Sequence, residues 1–155
     1  MDEQKFINFI RNGKFYEAKK ILELSNLEQL YTILMDLGFE KNTDFSPYFF
    51  VLELIFDNES DFLHSTAAAL LGNPFCWMPG AYNIAKRHTQ KAIELAPNNT
   101  LYKKRMLWFY EIPERLITLE EAVDYAKEVL EVFPKDSAAL RIMKRLEKRK
   151  ENNGE

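Results

Sequence analysis

The sequence predicts an all-α fold in which antiparallel helix pairs stack into an array. The main observation is a repeat with steps of seven and then five residues, formed by Ala85, Ala92, Pro97 and again by Ala122, Val129, Pro134. The second observation is that only five of 155 residues are glycine, and the six prolines lie mostly at segment ends, which favours helices over a turn-rich β fold. A repeated helix pair cannot bury its apolar face alone, so stacked pairs form a continuous core and leave a surface that binds other chains.

The composition of 46% hydrophobic and 29% charged residues is typical of a globular protein. We expect one helical-repeat domain over residues 1–150 and a polar tail over 151–155. A single cysteine and the lack of a basic-then-apolar N-terminal segment lead us to expect a cytoplasmic location, and no apolar run is long enough to cross a membrane. The charge is uneven, because residues 1–80 carry six Lys/Arg against twelve Asp/Glu and residues 81–155 carry fifteen against twelve.

Three helices are predicted before residue 40. The first ends at Asn12–Gly13, and the second begins in the segment 13–18 that follows. The third carries apolar residues at helical spacing from Leu27 to Leu37, and Gly38 is expected to end it.

Two further helices are predicted between residues 46 and 72. Ser46–Pro47 is a typical helix start, with the serine as cap and the proline in the first turn. The following segment, 48–56, is apolar nearly all round, which fits a central helix better than a strand. Ser60–Asp61 begins the next helix, and the segment 72–74 ends it.

The second half of the chain is predicted to contain four helices after the loop 73–80. One runs over about 81–96 and ends before Pro97, and the next is capped by Asn98 or Asn99. The segment 118–121 reads Thr-Leu-Glu-Glu, which is a capping box, and the last helix begins near Asp136. The total is eight or nine helices.

In the repeated region, over about 81–146, the chain resembles the tetratricopeptide repeat family. The resemblance is carried by the aligned segments 91–99 and 128–136, and by the turns at 13–18 and 118–122. Members of that family consist of antiparallel helix pairs, with small residues where the helices touch and a proline after the second helix. The resemblance implies an α-solenoid-like, right-handed array that binds a protein.

A second resemblance covers more of the chain and is to the small immunity proteins of bacterial contact-dependent growth inhibition and polymorphic toxin systems. It is carried by the segments 6–9, 13–18, 58–60, 91–97 and 112–116. It implies a cytoplasmic bacterial protein that neutralises a cognate toxin domain, often a nuclease, by covering its active site. It implies no catalytic residue, no metal and no cofactor.

Aromatic and acidic side chains are predicted to form the partner-binding surface. The aromatic candidates lie in and after the proline-bracketed loop 73–80 and are Phe75, Trp77, Tyr82 and His88. Aromatic anchors dominate interface energetics, although this loop could instead fold back and plug the core. The acidic candidates are Asp57, Glu59 and Asp61. Carboxylates here could mimic phosphates in a basic nuclease cleft, or could simply favour the start of a helix.

Catalysis is not expected from the remaining polar residues. Asp61 and His64 share a helix face, but two ligands are too few for a structural zinc site, and no residue pattern activates Cys76. A basic C-terminal stretch contains Lys144, Arg145, Lys148, Arg149 and Lys150. This stretch lacks the interleaved aromatics of proteins that bind single-stranded nucleic acid, so RNA binding through the basic C-terminal half is a less favoured alternative. A second alternative is a scaffold or chaperone adaptor that binds a peptide in its concave face. The oligomeric state stays open.

Overall fold

A computed structural model describes residues 2–22 and 26–153. These residues form nine α-helices and no strand, which confirms the predicted all-α class and helix number. The helices are α1 (Glu3–Arg11), α2 (Phe15–Ile21), α3 (Leu27–Glu40), α4 (Ser46–Asp57), α5 (Asp61–Gly72), α6 (Ala81–Leu95), α7 (Thr100–Glu111), α8 (Leu119–Val132) and α9 (Ser137–Asn153). Two compact units result, the first ending at His88 and the second beginning at Thr89.

Side-chain caps set most of the helix starts. Ser60, Asn99 and Thr118 each accept a backbone N–H of the first helical turn, as predicted, and Thr118 and Glu121 form the expected capping box. The start of α4 differs from its prediction. The Ser46 side chain makes no capping hydrogen bond, and the Asp44 carboxylate instead accepts the Ser46 N–H at 3.0 Å.

The first unit is built around α4, which contacts α1, α3 and α5. Its inner face buries Phe50, whose ring lies with its centroid 5.6 Å from those of Phe6 and Phe15. Aromatic pairs at this distance and in edge-on or tilted geometry add to the stabilisation from burial alone. The helix prediction for this segment is confirmed, but α4 is not enclosed on all sides, because its outer face leaves two phenylalanines exposed.

Gly38 lies inside α3 and does not end it, since the helix continues to Glu40. The residue is buried, and a Cβ atom built on it would lie 2.8 Å from Cγ of Pro74, closer than real Cβ contacts allow. The absent side chain therefore lets the segment after α5 pack directly on α3. By contrast, the predicted break after α1 is confirmed at Gly13, which has a positive φ of +67°.

Replacing Gly38 with alanine is expected to lower the free energy of unfolding by about 1–2 kcal/mol, because the overpacking at the Pro74 ring outweighs the helix-propensity gain of about 1 kcal/mol. Urea unfolding of the variant measures the change. Gly13→Asn is the control, because asparagine tolerates positive φ and no atom lies within 4 Å of the added Cβ. A Gly38→Ala variant more stable than the parent chain would contradict the close approach described above.

In the second unit, α8 packs against both α7 and α9. The repeated positions Ala122 and Val129 are fully buried on α8, and their counterparts Ala85 and Ala92 are fully buried on α6. The resemblance to tetratricopeptide repeats implies that these positions lie where helices touch, and their burial agrees with an inward-facing location. Part of the predicted polar tail, up to Asn153, continues α9.

Asp136 links two helices of the second unit, α7 and α9. Its carboxylate accepts the Ala139 N–H at 3.0 Å at the start of α9 and lies 2.7 Å from Nζ of Lys104 on α7, and its side chain is nearly buried. Asp136→Ala is expected to cost about 2 kcal/mol of unfolding free energy, from a lost cap and a lost ion pair. Asp136→Asn keeps a good cap, so about half of that loss should return in urea unfolding. Equal losses in the two variants would show that the cap contributes nothing.

Candidate protein-interaction site

The outer face of α4 presents an apolar stripe to solvent. Phe56 is 90% exposed and Phe49 is 54% exposed, and Leu52 between them is half-buried. Positions three and seven residues apart lie on one side of a helix, so these side chains form a single strip. We call this strip, with Glu53 and Asp57 beside it, the α4 surface. Contiguous exposed apolar groups with a polar border are typical of interaction sites.

The border of the α4 surface is acidic. Nζ of Lys19 on α2 lies 2.7 Å from Oδ2 of Asp57 and 3.5 Å from Oε2 of Glu53, and both carboxylates are about half exposed. The hydrogen bond to Asp57 is the largest of the effects that hold the pKa of Lys19 above its usual value. Because one ammonium serves two carboxylates, this edge keeps a net negative charge.

An apolar cavity of about 380 Å³ lies at the same edge. Its walls include Leu22, Leu54 and Leu63, with Lys19 and Asp57 also in its lining. The cavity shares Asp57 and Lys19 with the acidic border of the α4 surface, so an apolar side chain of a partner could enter it there, as anchors enter pockets at interfaces.

The three acidic residues predicted from the sequence lie along the connection from α4 to α5. Asp57 is the last residue of α4 and forms an ion pair with Lys19. Asp61 is the first residue of α5 and is half-buried. Glu59 lies between them with its side chain 42% exposed, and its carboxylate accepts a hydrogen bond from His64. Asp61 therefore fits the alternative in which the carboxylate favours the start of a helix. Asp57 lies instead beside the apolar strip of the α4 surface.

The aromatic loop 73–80 divides between core and surface. Phe75 is fully buried, with its ring centroid 4.9 Å from that of Phe45, so its side chain packs inside the first unit. Trp77 is 53% exposed and stays anchored, because its Nε1–H donates to the carbonyl oxygen of Asn42 at 3.3 Å. Tyr82, at the start of α6, is half-buried. Of the predicted aromatic anchors, Trp77 is the one that presents a large apolar area.

The fourth aromatic candidate, His88, belongs to a chain of polar groups. Its Nε2 lies 3.2 Å from the hydroxyl of Tyr48, and its Nδ1 lies 2.8 Å from Nδ1 of His64. Nε2 of His64 lies 2.9 Å from Oε1 of Glu59. His64 is buried, His88 is half-buried and Glu59 is 42% exposed, so the contact between the two histidines is the more shielded part of the chain. The chain links α4, α5, α6 and the α4–α5 connection.

The inventory of donors and acceptors assigns the protons along this chain. An ionised Glu59 only accepts, so His64 donates from Nε2 and, when neutral, accepts at Nδ1. His88 then donates from Nδ1 and accepts at Nε2 from the Tyr48 hydroxyl. Burial, together with the nearby His64 and Arg87, lowers the pKa of His88 to about 4, which agrees with a neutral imidazole at pH 7.

The described residues hold no group of three or more His, Cys, Asp or Glu side chains that could bind a metal ion. Cys76 is a free, half-buried thiol. None of the helices in the described ranges is long and apolar enough to cross a bilayer.

Four cations of the second unit pair with carboxylates from other segments of that unit. Arg141 binds Glu111 through two nitrogen–oxygen contacts of 2.9 Å. Further ion pairs join Lys103 to Glu128, Lys104 to Asp136 and Arg149 to Glu120.

Sequence reasoning missed the exposed pair Phe49 and Phe56 and the contact between the two histidines. The seven-residue spacing of the phenylalanines, with Glu53 and Asp57 on the same helix, is a signal that could have indicated an outer face. Comparison of the chain with protein-family models, with curated proteins and with solved structures finds no match.

Proposed function

We propose that this chain is a non-catalytic protein-binding module, and more specifically a cytoplasmic immunity protein that binds and neutralises a cognate bacterial toxin domain. The observation that carries the proposal is the α4 surface, with Phe56 90% exposed beside carboxylates that share a single lysine. Exposing a phenylalanine in this way has no benefit for folding. It is explained if another protein covers the side chain.

The charge of this surface indicates the kind of partner. Glu53, Asp57 and Glu59 lie on or just after α4 and are each roughly half exposed. A domain that binds nucleic acid has a basic cleft, and an acidic surface with apolar anchors complements such a cleft in charge and steers association. A nuclease toxin is therefore the partner that we favour.

Self-association through the same surface is disfavoured. In a two-fold symmetric dimer the surface would face its own copy, and the carboxylates of one chain would approach those of the other. Like charges that meet in a desolvated interface typically cost several kcal/mol. Each chain would bring one cation, Lys19, against its two carboxylates, Glu53 and Asp57. A basic partner removes this repulsion.

We also propose a tetratricopeptide-like arrangement for residues 81–146, on the strength of the buried repeat positions Ala85, Ala92, Ala122 and Val129. The α4 surface lies outside that segment. Binding by an adaptor of the tetratricopeptide type, through the repeated helices, is thus separable by experiment from binding through α4.

Capture from the native host at pH 7.5, followed by mass spectrometry, identifies the partner. The captured protein is then expressed alone and together with this chain. The proposal predicts growth arrest in the first case and normal growth in the second, with a stoichiometric complex on size-exclusion chromatography. A partner that is harmless when expressed alone would refute the immunity function, as would rescue without complex formation.

A further inference from the structure

The chain of Tyr48, His88, His64 and Glu59 connects the helix that carries the α4 surface to α5 and α6. Tyr48 precedes Phe49, and the centroids of the two rings are 6.2 Å apart. The Tyr48 hydroxyl is therefore the contact through which the imidazole pair touches α4, directly beside Phe49 of the α4 surface.

One added proton fits into this arrangement. With hydrogen on both nitrogens of His64, Nε2 still donates to Glu59 and Nδ1 donates to His88. His88 must then accept at Nδ1 and carry its own proton on Nε2, so that the Tyr48 hydroxyl becomes an acceptor. Every contact in the chain survives, with two hydrogen bonds reversed.

A second proton does not fit. Both Nδ1 atoms would then carry hydrogen, and two donors would face each other across 2.8 Å. The two positive rings would repel one another in a partly buried site, where Coulomb forces are stronger than in bulk solvent. Separation of the rings relieves this repulsion, and it breaks the link to Tyr48 when His88 is the ring that moves.

We propose that acidification opens the Tyr48–His88–His64–Glu59 chain and loosens α4, so that the α4 surface is ordered for binding at neutral pH and lost in acid. This regulation rests on the proposed function of that surface. The groups described around the histidine pair include Tyr48 from α4, Glu59 from the α4–α5 connection and Arg87 from α6. Arg87 adds repulsion and Glu59 opposes it.

The direction of the pH effect follows from linkage. In the folded chain the pKa of His88 lies at about 4, below the ordinary value of 6.5, so the opened state binds more protons between these values. The stabilisation is complete above about pH 6.5 and is lost as the pH falls toward 4. Both histidines of the protein lie in the first unit, so the second unit has no such response.

Hydrogen exchange of the free, full-length protein at pH 7.5 and pH 5, corrected for intrinsic rates, tests the proposal. We expect the equilibrium constant for opening of α4 to rise at least about tenfold at pH 5. The lowering of the His88 pKa from 6.5 to about 4 predicts a change of this size. Helices α8 and α9, from the histidine-free unit, provide the internal reference.

Two variants separate this mechanism from general acid sensitivity. His88→Asn removes the second titrating ring and should reduce the response of α4 to less than about threefold. Tyr48→Phe removes the hydroxyl that contacts His88. The pH dependence of hydrogen exchange should then remain in α5 and disappear in α4. An unchanged response in His88→Asn, or α4 exchange that follows α8 at both pH values, would overturn the proposal. Toxin capture at pH 7.5 does not involve these measurements, and its failure would refute the proposed function instead.

Discussion

Phe75→Ala is expected to lower the free energy of unfolding by about 3–5 kcal/mol, the usual cost of truncating a buried phenylalanine. The Phe75 side chain is fully buried, and its ring packs on Phe45. Truncation leaves a cavity that the surrounding backbone, fixed by Pro74 against Gly38, fills poorly. Urea unfolding followed by circular dichroism measures the loss.

Trp77→Ala is the matched control from the same loop. Its side chain is 53% exposed and makes one hydrogen bond to backbone, so the expected loss is below about 1.5 kcal/mol. Losses of equal size at Phe75 and Trp77 would contradict the division of the loop into a core half and a surface half. A smaller loss at Phe75 than at Trp77 would reverse it.

Phe56→Ser is expected to weaken binding to the captured partner by about 30-fold or more, which corresponds to the roughly 2 kcal/mol of a true hot spot. The unfolding free energy should change by less than about 0.5 kcal/mol, because the side chain is 90% exposed in the free protein. Calorimetric titration of the partner gives the affinity, and urea unfolding gives the stability.

Leu101→Ser is the control for this variant, since Leu101 is 59% exposed on α7 in the other unit. It removes a comparable exposed apolar group outside the α4 surface and should leave the affinity unchanged. If Phe56→Ser binds as tightly as the parent chain, α4 is not the contact surface. If Leu101→Ser loses affinity instead, the repeated helices carry the binding, as in a tetratricopeptide-like adaptor.

Local signals in the sequence predicted most of the helices. Caps such as Ser60 and Thr118, and breaks such as Gly13, act within a few residues, so the sequence alone reveals them. Gly38 misled the prediction because glycine also serves close packing, and that use depends on Pro74, 36 positions away. Contacts between distant residues decide such cases.

The candidate site was less predictable for the same reason. Because α4 is apolar nearly all round, its sequence pattern placed it in the centre, and the signal from Glu53 and Asp57 was not used. His64 and His88 are 24 residues apart and meet only through the packing of α5 and α6. Phe75 and Trp77 are two residues apart in one loop, and nothing in the local pattern tells the buried ring from the exposed one.

The measurement that tests the central claim most directly is a hydrogen-exchange footprint of the complex with the captured partner. The account predicts that α4 (Ser46–Asp57) and the connection to α5 gain protection at pH 7.5, and that α9 keeps the exchange rates of the free chain. Protection confined to residues 81–146, with α4 unchanged, would contradict it.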